Sequence, residues 1–169
     1  MHCRIGEAVR SPAFQGAAMC IFRSRLCLLL NVLACIVRVI HGQSAIIVAP
    51  KEIPTGGALQ SKNGRFLLAM QYDCNLVLYD LEKNRLPLWA TNTSGHGANC
   101  YAAMEINGNF VLYNGAHMIK FQTYTYIYSC TGNYLAWMQD DGNFVVYCEP
   151  TVNNLQQLTA LWATGTDGW

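Results

Sequence analysis

Between Gln71 and Tyr79 apolar and polar residues alternate, and two short β-type runs, Phe66-Leu67-Leu68-Ala69-Met70 and Leu76-Val77-Leu78-Tyr79, bracket the most polar part. An extended chain places alternate side chains on one face. The pattern therefore predicts a strand presenting Gln71, Asp73, Asn75, Val77 and Tyr79 on one side, with Tyr72, Cys74, Leu76 and Leu78 packed on the other. The same five residue types return in order at Gln139, Asp141, Asn143, Val145 and Tyr147. A 3.6-residue periodicity is absent, which predicts an all-β protein.

The register is general. Met70, Met104 and Met138 lie 34 residues apart, as do Asn75, Asn109 and Asn143, and Tyr79, Tyr113 and Tyr147. Three copies of one unit follow. The first copy closes on Leu88-Trp89-Ala90-Thr91 and the third on Leu161-Trp162-Ala163-Thr164, with Phe121 in the Trp place of the second. A unit this small cannot bury its own apolar face, so the three aromatics are expected to share one central core. The length after the motif Tyr varies between copies and is greatest in the third.

Charge changes the picture by its distribution. Residues 1–44 carry five arginines against Glu7, whereas residues 45–169 hold six basic and nine acidic residues, a net −3. This balance excludes a nucleic-acid partner. Arg23 and Arg25 precede an apolar run from Leu26 to Val37, and small residues Gly42 and Ser44 follow, the pattern of a secretory signal. The run is shorter than the ~20 residues of a membrane span. We therefore expect a targeting segment over 1–44, a single domain over 45–169, a secreted extracellular product and no membrane association once the signal is removed. Asn92-Thr93-Ser94 is a candidate glycosylation sequon on that route.

Cys74, Cys100, Cys130 and Cys148 lie in the body without metal-ligand spacing, which suits an oxidising compartment and argues against a metal site. Cys130 and Cys148 flank the third motif and either pair across adjacent strands or stay as two buried thiols. No histidine sits in a nucleophile context, and adjacent residues such as Asp140 and Asp141 point to opposite faces of a strand, which disfavours glycoside hydrolysis. No catalytic step and no cofactor are expected.

Amides, a carboxylate and a phenol in a row offer donors and acceptors at the spacing of vicinal sugar hydroxyls, and Val77 adds an apolar contact for ring carbons. A merely solvated strand face would not require the same five types in order twice. The motif Gln-x-Asp-x-Asn-x-Val-x-Tyr resembles the signature of the bulb-type, monocot mannose-binding lectins, over approximately residues 48–169. The resemblance implies a β-prism II of three four-stranded antiparallel sheets, each able to carry one calcium-independent mannose site. It implies that Asp73 and Asn75 bind the axial 2-hydroxyl, Gln71 the 3-hydroxyl and Tyr79 the 4-hydroxyl, with Val77 against the ring. Asp141, Asn143, Gln139, Tyr147 and Val145 would repeat these roles.

The middle copy reads Glu105, Asn107, Asn109, Val111 and Tyr113, and its departures at the first two places mark it as a degenerate site. The resemblance also implies a Cys74–Cys100 disulfide and allows a homodimer formed by exchange of C-terminal strands. A second reading keeps the fold as a sugar-inert prism acting through protein–protein interaction.

Overall fold

A computed structural model describes residues 44–150 and 157–169. The targeting segment expected over 1–44 lies outside the described residues, except for Ser44. Twelve strands make up the described chain, with one 3₁₀ turn at Thr125–Ile127. They are β1 (Ile46–Val48), β2 (Lys51–Pro54), β3 (Ala58–Gln60), β4 (Phe66–Met70), β5 (Leu76–Asp80), β6 (Leu86–Ala90), β7 (Tyr101–Met104), β8 (Phe110–Tyr113), β9 (Ile119–Gln122), β10 (Asn133–Met138), β11 (Phe144–Glu149) and β12 (Thr159–Ala163).

Each copy of the repeat contributes a three-stranded antiparallel meander, β4-β5-β6, β7-β8-β9 or β10-β11-β12. The fourth strand of every sheet comes from the stretch before the repeats. β1 joins the third copy, β2 the second and β3 the first. One short run of chain therefore edges all three sheets, giving three four-stranded sheets from three repeats.

Equivalent residues of the copies fill the middle. Met70, Met104 and Met138, together with Leu76, Phe110 and Phe144, are all at most 1% exposed. Burying such side chains contributes about 1.5–3 kcal/mol each. Trp89, Phe121 and Trp162 meet edge to face at centroid separations of 5.6, 5.7 and 6.1 Å. The expected shared aromatic core is present, with its three rings only half-buried.

There are two disulfides among the described residues, Cys74–Cys100 and Cys130–Cys148. The first links the turn of the first motif to the strand opening the second copy. The second joins the segment before β10 to β11, so the two thiols left open by the sequence are paired. Asp80 is fully buried and accepts hydrogen bonds from Arg65 Nε and Nη2 and from the Glu82 amide. The Arg65 hydrogen bonds hold the Asp80 carboxyl below the usual carboxylate range, against the opposing effect of its burial.

Candidate functional site

The motif is not one extended strand. Its first half is the hairpin turn between β4 and β5, closed by Gln71 N–H to Asn75 C=O at 2.9 Å and Cys74 N–H to Gln71 C=O at 3.2 Å. The turn requires a left-handed residue at its fourth place, where φ is 73° at Cys74, 89° at Gly108 and 94° at Gly142. Two copies meet this with glycine. The first uses a cysteine tied by its disulfide. The turn also corrects the expected placing of Tyr72, which lies 83% exposed at the tip instead of packing inward. Cys74, Leu76 and Leu78 do pack inward.

Although the backbone turns, the five side chains still form a cluster. Asp73 folds back to accept the Asn75 amide at 2.9 Å, a short Asx turn, and Asp141 does the same for Asn143 at 2.9 Å. A register shift just before the motif tyrosine recurs in all three sheets, at Leu78/Tyr79, Leu112/Tyr113 and Val146/Tyr147. Such a bulge re-aims the side chain that follows it. The phenol is thereby brought to the first residue of the motif. Val77 and Val145 are buried, yet neither belongs to the inner core, so both form the floor of the outer face.

The direction of the amide–phenol bond distinguishes the copies. Gln71 Nε2 donates to Tyr79 Oη at 2.5 Å, and Gln139 Nε2 donates to Tyr147 Oη at 2.8 Å. In both, the phenol proton and the amide oxygen stay available to a ligand. Burial is the larger of the effects that raise the pKa of Tyr147, so that phenol stays neutral. In the middle copy Tyr113 instead donates to Glu105 Oε1 at 2.6 Å, and Asn107 Nδ2 donates to the other oxygen at 3.1 Å. The Glu105 hydrogen bond, followed by burial, pushes the Tyr113 pKa up to about 12. Its proton is committed inside the protein.

Beneath each cluster lies a Thr-x-Thr clamp that hydrophobic patterning does not reveal. Thr91 accepts the Leu76 amide at 3.1 Å and donates to Asn75 Oδ1 at 3.0 Å, while Thr93 donates to the Cys74 carbonyl at 2.6 Å. Thr123 and Thr125 repeat this toward Phe110, Asn109 and Gly108. Thr164 and Thr166 repeat it toward Phe144, Asn143 and Gly142. The clamp pins the Asn carboxamide with its oxygen inward and its NH₂ outward. Its sequence signal is a Thr-x-Thr after each closing aromatic.

The outward groups differ. In the first copy Ser94 donates to Asp73 Oδ2 at 2.9 Å, and Asn75 Nδ2 has no protein acceptor among the described residues. In the third copy Asn143 Nδ2 donates to Asp167 at 3.1 Å, and Asp141 Oδ2 has no protein donor among the described residues. In the middle copy Asn109 Nδ2 is taken by Gln122 at 2.9 Å. Asp140, the neighbour of Asp141, accepts the Asn63 amide at 2.8 Å and so ties the first copy to the third. Asn92 is exposed beside the first cluster with φ 56°. Among the described residues no three His, Cys, Asp or Glu side chains gather as a metal centre would need.

A three-faced prism of antiparallel sheets, each carrying one polar cluster on its outer face, defines a β-prism lectin. Comparison with known proteins gives the same class. No protein-family model matches the chain. The mannose-specific lectin of Aloe arborescens is 38% identical over 103 residues, covering 61% of this chain and 82% of that protein. The monomeric monocot mannose-binding lectin of Gastrodia elata superposes with a TM-score of 0.60 at 38% identity, over 73% of this chain and 99% of that one. The snowdrop (Galanthus nivalis) agglutinin, solved with methyl-α-D-mannoside, gives 0.56 at 36% identity, over 73% and 97%. Against the curated snowdrop lectin the matched segment spans only 41% of that protein. The chain belongs to the monocot mannose-binding lectin family.

Proposed function

We propose that this protein is a calcium-independent mannose-binding lectin that acts by recognition without a catalytic step, through the clusters of the first and third sheets. The observation that carries this reading is the donor direction at Gln71–Tyr79 and Gln139–Tyr147, which leaves a phenol proton, an amide oxygen and one open Asn or Asp group for vicinal hydroxyls. An axial hydroxyl can be read by the open member of the pair, Asn75 Nδ2 in the first site and Asp141 Oδ2 in the third, and the equatorial epimer would leave that group unsatisfied. The middle sheet, with its Tyr113 proton committed to Glu105, is inactive in this reading.

About four neutral hydrogen bonds at about 1 kcal/mol each give a site a Kd of about 1 mM. Useful avidity then comes from several sites on one glycan or surface. The two disulfides support secretion into an oxidising compartment. A homodimer by exchange of β12 would reuse its pairing with β11, and light scattering tests for it. Calorimetric titration with methyl α-mannoside should count two sites per chain. Asp73→Ala and Asp141→Ala should each leave one, and the double variant none. Folded protein giving no mannoside heat would favour the sugar-inert prism.

A further inference from the structure

The strand registers align one row of residues across the centre of each outer face. In the first sheet the row is Ala58–Ala69–Val77–Ala90, and in the middle sheet Glu52–Ala103–Val111–Gln122. In the third it is Ile46–Trp137–Val145–Ala163. Beside the motif valine, two copies thus hold a methyl group and the third an indole. Trp137 is half-buried, and its ring lies 6.5 Å from that of Tyr147. Ile46 continues the apolar surface on the edge strand, and Leu135 is buried outside the inner core, like Val145.

Resting on the mannoside reading above, we propose that Trp137 and Ile46 form a second subsite of the third site, which takes a ring attached to the bound mannose. Trp137 stands opposite Val145 across the β10–β11 pair and its ring neighbours that of Tyr147, so a ligand seated on the cluster places a unit attached to it within reach of the indole. An indole face accepts the axial C–H faces of a sugar and the face of an aryl aglycone by the same apolar contact. The first site, with Ala69 in that place, reads a single mannose and is indifferent to what is attached. The two working sites therefore differ in specificity.

The test compares methyl α-mannoside, phenyl α-mannoside and a mannobiose by calorimetry. Asp73→Ala isolates the third site and Asp141→Ala the first. We expect the third site to prefer the two-ring ligands by about five- to tenfold, and the first site to show no preference. Trp137→Ala in the Asp73→Ala background should bring that ratio close to one, and Trp137→Phe should retain most of it. Ala69→Trp should create the preference in the first site. A sugar-only response would assign the subsite to oligosaccharides, and an aryl response to apolar aglycones, both within the proposal. Normal methyl mannoside binding with a ratio that ignores Trp137 would overturn the subsite alone. No methyl mannoside binding in the parent would overturn the mannoside reading and this inference with it.

Discussion

Thr91→Val tests the clamp under the first cluster, because the substitution exchanges a hydroxyl for a methyl group at nearly constant volume. The lost hydroxyl is the hydrogen-bond acceptor of the Leu76 amide, whose residue is fully buried, and a donor to Asn75 Oδ1. Leaving a buried amide unpaired costs about 2 kcal/mol, within the usual 1–3. For a domain of this size that is about 8 °C in Tm. Asn75 keeps the Thr93 amide at 3.2 Å as its remaining anchor, so its carboxamide is held less firmly. Re-ordering one such side chain on binding costs about 1 kcal/mol, or about fivefold in mannoside affinity. Urea unfolding followed by tryptophan fluorescence should show a lower midpoint at unchanged slope. Titration in the Asp141→Ala background should show the weaker first site. Thr91→Ser keeps the hydroxyl and should retain most of both properties. A Thr91→Val midpoint equal to that of the parent, or an affinity loss at the third site as large as at the first, would refute the reasoning.

Removing Cys74–Cys100, which spans 26 residues, should cost about 3.5 kcal/mol and removing Cys130–Cys148, which spans 18, about 3.2, measured as urea midpoints of the paired Ala variants. Asp80 has a lowered pKa in the folded state, so its contribution is present above the ordinary carboxylate range and lost as pH falls through the folded value. Asp80→Asn should accordingly flatten the acid limb of the Tm–pH profile. In the middle sheet, Glu105→Gln with Asn107→Asp rebuilds the motif and frees the Tyr113 proton, and Gln122→Ala, the residue type at Ala90 and Ala163, frees Asn109. The triple variant should titrate three mannosides per chain, and its Tyr113 phenol should ionise below about 12.

The three copies and the departures of the middle motif at Glu105 and Asn107 are legible in the chain because they rest on residue types at a fixed 34-residue spacing. The aromatic cluster of Trp89, Phe121 and Trp162 is legible for the same reason, since equivalent places in stacked units must meet. Alternation alone misplaces the first half of the motif. A hairpin turn and a strand both keep polar residues outward, and Cys74 conceals the left-handed backbone that Gly108 and Gly142 signal.

What sequence by itself determined is therefore the repeat, the β class, and which residues could meet a sugar. Only tertiary structure decided which of their hydrogen-bonding groups are left to meet it. The Thr-x-Thr clamps act on residues 13 to 24 positions away, from Thr123 on Phe110 to Thr166 on Gly142. Ser94 takes up the motif Asp in the first copy, Asp167 and Gln122 take up the motif Asn in the third and middle copies, and the strands at 46–60 put Ile46 beside Trp137. The physical reason is that a donor's availability depends on every other acceptor within reach. Those acceptors come from distant parts of the chain that only folding brings together.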